Sequence, residues 1–268
     1  MRSIDGVGLE QVRGVYDGPE GDLWELVMGE QIHIGGMASS MDLAEKAGIR
    51  GAARGIDLCC CTGAGMRCLV RLMQVGRMVG VDATRRVIEL GRERCREQGF
   101  GDSIDFVEAE ATGTGLPGGE ADFVWGEDAW CYVSDKPALI REAARLVRPG
   151  GAVAFTDWVE GDTPLEAAEA ERFQRFMKFP TFETVGGYRG LMSAAGLRVE
   201  RAELTGRFAA HARLYIDMLE KQMTYDALRI IGFDMGLMAA MGQEMRFMLG
   251  LAEKGKIEQG LFVARKSG

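Results

Sequence analysis

The sequence is poor in several features, and each shortage excludes something. No apolar run approaches the roughly 20 residues a membrane helix needs, and the N-terminus has no signal-peptide core. A cytoplasmic protein without stable membrane insertion is expected. Cations do not predominate: 32 Lys and Arg stand against 40 Asp and Glu, for a net charge of −8. That balance argues against a nucleic-acid surface, which rests on clustered positive charge. Arginines do crowd between Arg85 and Arg96, but Glu89, Glu93 and Glu97 interleave with them. A solvated helix face is expected there. Histidine is scarce, with two in the chain. Among the six cysteines there is no Cys-x-x-Cys pair. Three are consecutive, Cys59, Cys60 and Cys61, and cannot all find disulfide partners in one tight turn. Consecutive strand side chains point to opposite faces, so these three cannot converge easily on a metal. Reduced thiols and no metal site are expected. There is no internal repeat and no low-complexity tract.

What is present suits a soluble enzyme with a sizeable core: 47% of residues are apolar and 27% charged, in 268 residues. The organising stretch is Ile56 to Gly65. A short apolar run ends in the carboxylate Asp57, small residues make a turn, and helical spacing follows with Met66, Leu69, Val70 and Met73 on one face. Strand, turn and helix in that order hold nucleotide-like ligands at the carboxyl end of an open α/β sheet. Small-residue turns are common in α/β folds without a nucleotide, so the next unit matters. Met78 to Asp82 reads as a second strand ending in a second carboxylate. Asp82 lies where an acidic side chain can accept hydrogen bonds from both ribose hydroxyls. Thr84 then opens a helix closed by Gly99.

Further strands are predicted at 104–108, 121–125, 152–158, 197–204 and around 261–265. Pro149-Gly150-Gly151 is expected to stop the helix lined by Leu139, Ala143 and Leu146. Residues 1–50 carry no sheet signal. His33 lies between Ile32 and Ile34 beside Gly35-Gly36, which suggests a packed segment near a ligand. Residues 208–254 are helical and Met-rich, and their methionines read as core fillers.

This order of elements resembles the class I S-adenosylmethionine-dependent methyltransferases over nearly the whole chain. The resemblance implies an α/β, Rossmann-like seven-stranded sheet, six strands parallel and the last antiparallel, with helices on both faces and a helical cap. It implies one domain over 1–268, an N-terminal helical lid over 1–50, and cap segments at 160–190 and 208–254. S-adenosyl-L-methionine is the implied cofactor, held by Asp57, Cys59, Cys61, Gly63, Asp82, Ala83, Glu110, Ala111 and Glu127. The family usually has glycines where this chain has Cys59 and Cys61, so negative φ is expected at both.

The N-terminal segment ending Glu30-Gln31-Ile32-His33-Ile34-Gly35 looks like that of the sarcosine/dimethylglycine, phosphoethanolamine and tocopherol methyltransferase branch. The stretch Trp125 to Tyr132 is similar to the branch's motif after the fourth strand. Asp128 matches; Tyr132 replaces the histidine of the phosphoethanolamine enzymes. The implied catalytic residues are Tyr132, Asp128 and His33: Asp128 to hold and orient an ammonium, Tyr132 as a base with a lowered pKa or a partner such as His33. Trp130 and Trp158 are candidates to offer π faces to a methylated cation. The expected activity is methyl transfer to a small-molecule acceptor, an amine nitrogen foremost, with a homodimer left open. Oxygen or carbon transfer to an apolar acceptor, a non-catalytic cofactor-binding scaffold, and a nicotinamide-dependent oxidoreductase remain alternatives. The last lacks a third glycine in Gly63-Ala64-Gly65-Met66-Arg67-Cys68.

Overall fold

The computed structural model describes residues 1–268. In chain order the elements are β1 (Arg2–Ser3), α1 (Leu9–Tyr16), α2 (Pro19–Met28), α3 (Gly36–Ala47), β2 (Arg54–Leu58), α4 (Ala64–Leu72), β3 (Arg77–Asp82), α5 (Arg85–Glu97), β4 (Ile104–Glu108) and β5 (Ala121–Glu127). A single 3₁₀ turn (Trp130–Tyr132) leads to α6 (Lys136–Leu146), β6 (Val147–Glu160), α7 (Ala167–Met177), β7 (Thr181–Thr184), α8 (Val185–Ala194) and β8 (Leu197–Leu204). The chain closes with α9 (Phe208–Lys221), α10 (Thr224–Ile230), α11 (Met235–Glu253) and β9 (Ile257–Lys266).

Seven strands form the central sheet in the order β4-β3-β2-β5-β6-β9-β8. β2, β3, β4, β5 and β6 pair in parallel, and β9 is antiparallel to both β6 and β8. The expected sheet is therefore present, six strands one way and the last reversed. Its middle strands are buried on both faces and read as continuous apolar runs, as in Phe123-Val124-Trp125. On one face α3, α4 and α5 cover the sheet through Leu43, Met66, Leu69 and Ile88. On the other α6 and α8 do so through Leu139, Ile140, Tyr188 and Met192. A third apolar cluster, with Trp24, Val27, Phe173, Phe179, Phe208 and Met248, knits α2, α7, α9 and α11 into a cap.

The structure differs from expectation at three places. Helix α6 ends at Leu146, before the Pro-Gly-Gly stretch, and Val147 already pairs with Ala121. Residues 148–151 bulge out, and register resumes at Phe123 and Ala152. Gly150 there has φ +76°, and a Cβ on Gly151 would lie 2.7 Å from the Asp122 carbonyl. The N-terminal region does contain a two-residue strand: β1 pairs with β7, which itself pairs with the end of β6. Both are too short to leave a period-2 pattern. Of the cap methionines, Met245 and Met248 are core, while Met235 is exposed.

Candidate functional site

The carboxyl ends of β2, β3 and β5 open into a cavity of about 260 Å³, roofed by α1 and residues 30–33. Its floor is the turn after β2. Here the backbone N–H groups of Cys59 and Cys60 both donate to the Val81 carbonyl, at 2.8 and 3.1 Å. Cys61 N–H donates to Asp82 Oδ2 at 3.0 Å. Turning three successive N–H groups toward the end of β3 forces left-handed backbone at Cys59 (φ 64°) and Cys61 (φ 48°). The expected negative φ is thus wrong at both, and each Cβ carries a cost of about 1–2 kcal/mol. Burial pushes the Cys59 and Cys60 thiols well up and Cys61 to about 12, so all three are neutral at physiological pH. Gly63 is not in the cavity wall. It takes φ 74° ahead of α4, and a Cβ there would lie 2.7 Å from the Phe106 ring. Its contribution is to the turn's shape.

The other positions expected at the cofactor do line the cavity: Asp57, Cys59, Cys61, Asp82, Ala83, Glu110, Ala111 and Glu127. Asp82 is pinned by two donors, Cys61 N–H on Oδ2 and Thr84 N–H on Oδ1 at 2.9 Å. Burial raises its pKa against those bonds. Asp57 is 5% exposed, and burial with Glu127 and Asp82 nearby holds its proton affinity well above the usual carboxylate range. Glu127 accepts from Ser40 Oγ at 2.5 Å and lies 3.4 Å from His33 Nε2. Its other oxygen stands over Gly65, where a Cβ would come within 2.3 Å. Glycine is required at 65 for that close approach.

The roof is strapped down by arginines. Arg94 forms a bidentate pair with Glu25 at 2.6 and 3.1 Å. Arg67, 5% exposed, pairs with Glu30 and donates to the Thr62 carbonyl at 2.6 Å. Arg86 reaches Asp22 at 2.9 Å, and Arg13 reaches the Ala83 carbonyl at 3.0 Å. The arginines of α5 are therefore not simply a solvated face, because Arg86 and Arg94 cross to carboxylates of α2.

Tyr132, Asp128 and His33 all line the cavity, but not in the expected relations. The Tyr132 hydroxyl meets that of Tyr16 at 3.4 Å, ring edge to ring face, rather than His33. Burial raises the pKa of both phenols, which removes Tyr132 as a base near neutrality. Asp128 has φ 50° and spends both oxygens inside the protein: Ile34 N–H donates to Oδ2 at 2.8 Å, and Gln259 Nε2 lies 2.8–2.9 Å from both. Oδ2 is filled by two donors, and only Oδ1 keeps a lone pair. His33 is 3% exposed; its Nδ1 has no hydrogen-bond partner, while Nε2 faces Ser40 Oγ at 3.3 Å and Glu127. Trp130 is stacked on Phe155 at 4.0 Å and Trp158 on Phe173 at 6.2 Å; both are core and neither lines the cavity.

Two features escaped the sequence. Tyr16 had a usable signal, since Leu9, Val12 and Tyr16 recur at helical spacing. The brace behind the Tyr132 turn had none. Buried Lys136 donates to the Val133 carbonyl at 2.8 Å and Thr181 Oγ1 at 2.6 Å, and Asp157 accepts from Cys131 N–H at 2.9 Å and from the Tyr188 hydroxyl. Burial raises Asp157 to about 6 and lowers Lys136.

Residues 56–155, from β2 through the middle of β6, match the family described as a methyltransferase domain. Proteins similar to this chain include ones named as phosphoethanolamine, tocopherol and sarcosine/dimethylglycine methyltransferases, the branch expected from its N-terminal segment. Phosphoethanolamine N-methyltransferase 1 of Arabidopsis thaliana is 25% identical over 201 residues, 74% of this chain and 40% of that protein. The chain spans about half the length of the curated relatives it matches. Among solved structures, Haemonchus contortus phosphoethanolamine N-methyltransferase 2 in complex with S-adenosyl-L-methionine superposes with a TM-score of 0.84 at 16% identity, covering 98% of this chain and 61% of that one. The [4+2]-cyclase SpnF superposes at 0.77 and 18% identity, covering 99% of both chains. At such identities the likeness is one of fold.

Proposed function

We propose that this protein transfers a methyl group from S-adenosylmethionine to a small-molecule acceptor, an amine nitrogen foremost. One observation carries the reading. Seven carboxylate residues line the cavity (Glu30, Asp57, Asp82, Glu110, Glu127, Asp128 and Asp135) and no lysine or arginine does. Such a lining concentrates cations and repels phosphates. It suits a ligand with an ammonium and a sulfonium, and it opposes the pyrophosphate of a nicotinamide dinucleotide. The missing Cβ of Gly65 makes room for the Glu127 carboxylate in that wall.

Asp57 and Glu127 would take the cofactor's ammonium end, Asp82 its ribose hydroxyls, and Glu110 with Ala111 its adenine side. Each Asp82 oxygen accepts one backbone N–H and keeps a second lone pair for a hydroxyl. Bound there, the cofactor supplies a methyl group on a positively charged sulfur. Residues 1–50 act as a lid whose roof excludes water from the cavity. Alignment of donor and acceptor under that roof supplies a large share of the barrier reduction, up to about 7–11 kcal/mol.

The acceptor would sit toward Tyr16 and Tyr132, whose neutral phenols present π faces and hydroxyl lone pairs to a cation. His33 is the group to take the amine's proton. Its Nδ1 is buried without a partner under the closed roof, and Glu127 and Ser40 hold the ring from the other side. A second reading, oxygen or carbon transfer to an apolar acceptor, is favoured by Leu9, Val12, Ile32 and Val133 in the wall and by the engagement of Asp128. A methyl-label transfer assay against amines, phenols and quinone-like lipids decides between them. Labelled amine supports the first reading, label in phenol or quinone alone the second, and cofactor binding without transfer to any class a scaffold.

A further inference from the structure

Ile34 is held in an unusual way. It belongs to the roof, follows His33 directly, and is 1% exposed. Neither of its backbone polar groups is in a helix or sheet, yet both are satisfied. Its N–H donates to Asp128 Oδ2 at 2.8 Å, and its carbonyl accepts from Gln259 Nε2 at 3.0 Å. Gln259 lies in β9, 225 residues further along the chain, and is itself wholly buried. The same amide nitrogen lies 2.9 and 2.8 Å from the two Asp128 oxygens. Aspartate and glutamine thus grip one another and, between them, both sides of a single residue's backbone. The orientation of the amide is dictated. Flipped, its oxygen would face the Asp128 carboxylate and the Ile34 carbonyl, three acceptors together. The amide oxygen as placed has no hydrogen-bond partner, a cost that the nitrogen's contacts must outweigh.

We infer that Asp128 and Gln259 form a clamp that fixes Ile34, and through it Gln31 to His33, over the cavity. Gln259 is then a positioning residue for the proposed reaction, acting from the one antiparallel strand, and Asp128 serves the lid rather than the acceptor. The clamp explains why Asp128 tolerates a left-handed backbone, because φ 50° aims its side chain at both the roof and β9. It also explains a wholly buried glutamine near the start of β9, where a hydrocarbon would otherwise be expected. Tyr215 adds a weaker tie, its hydroxyl 3.4 Å from the His33 carbonyl. The inference rests on the reading of the cavity as a cofactor site only for its effect on binding, not for the clamp itself.

Amide hydrogen exchange, with S-adenosylhomocysteine titrated in parallel, tests both. In Gln259→Leu, which removes the hold on the Ile34 carbonyl and on Asp128 at similar size, exchange over residues 30–35 accelerates about tenfold while β2, β3 and β5 stay as protected as in the parent. Asp128→Asn, which sets an amide against the Ile34 N–H or the Gln259 amide, does the same. Affinity for S-adenosylhomocysteine falls about tenfold in each variant, because the roof no longer rests in its closed place. Unchanged exchange over 30–35, or acceleration spread evenly over the sheet, overturns the clamp. If the parent itself binds no S-adenosylhomocysteine, the cofactor reading fails, and the exchange pattern still decides the clamp.

Discussion

At the scale of single residues, the cavity is built from side chains whose chemistry was visible and whose partners were not. Asp57, Asp82 and Glu127 were identifiable because they lie at the carboxyl ends of strands, where an open sheet forms its crevice. The roles of Asp128 and Tyr132 were not, because a position after a strand says nothing of what lies across from it. Ile34, Gln259 and Tyr16 supply those partners from distant parts of the chain. Cys61 illustrates the same limit: its backbone obeys the Asp82 carboxylate rather than its own preference. Cys61→Gly should therefore not lower the melting temperature. Relief of about 1–2 kcal/mol of left-handed strain offsets glycine's entropic cost of about 0.5–1 kcal/mol. A clear fall in a thermal melt would mean the thiol itself is needed. If His33 takes the acceptor's proton, His33→Gln lowers amine turnover at pH 7 by about a hundredfold. The deficit shrinks as pH rises toward the amine's own pKa, since the acceptor then arrives already neutral. A deficit constant across the pH profile would make His33 a packing residue only.

At the scale of elements, the strands and their order were legible because buried parallel strands are continuous apolar runs between helical periods. The short β1 and β7, and the bulge at 148–151, were not, because they follow from pairing with neighbours and leave no period. The function of α5 was misread for a related reason. Charges of both signs on one helix look self-sufficient, yet Arg86 and Arg94 find Asp22 and Glu25 some 64 and 69 residues away. These straps hold α2 to α5 beside the sheet. Arg94→Met should raise the cofactor KM about three- to tenfold with a smaller change in kcat, and the parent's advantage should shrink as salt rises from about 0.05 to 0.5 M. An equal KM for parent and variant at low salt would show that the strap carries nothing.

The loop beside Ala111 has its own fastening. Glu142 of α6 accepts from Thr114 N–H at 3.0 Å and Thr114 Oγ1 at 2.6 Å and pairs with Arg145. Those bonds depress its pKa to about 2. A depressed carboxylate stabilises the fold above its unfolded pKa, and that contribution disappears as pH falls from about 4.5 toward 2. Glu142→Gln should lower the melting temperature at pH 7, and the gap to the parent should close over that acid range. A gap that stays constant with pH would assign the loss to packing instead.

At the scale of the whole molecule, the antiparallel last strand does more than complete the sheet. Through Gln259 it ties the end of the chain to the N-terminal roof, and through its pairing with β6 and β8 it buries Phe262 and Val263 in the core. Sheet and roof thus meet at one cavity with a strongly acidic wall. Folds of this kind host more than one chemistry, and the superposition with a cyclase is a reminder that architecture alone does not specify a reaction. In this chain the charge of the wall carries the proposed reading. The most direct measurement is calorimetric titration of the whole chain with S-adenosylhomocysteine and with NAD, repeated on Asp82→Ala. The account predicts binding of the first ligand alone, weakened about tenfold or more by the substitution. NAD binding as tightly as S-adenosylhomocysteine, or no binding of S-adenosylhomocysteine to the parent, would contradict it.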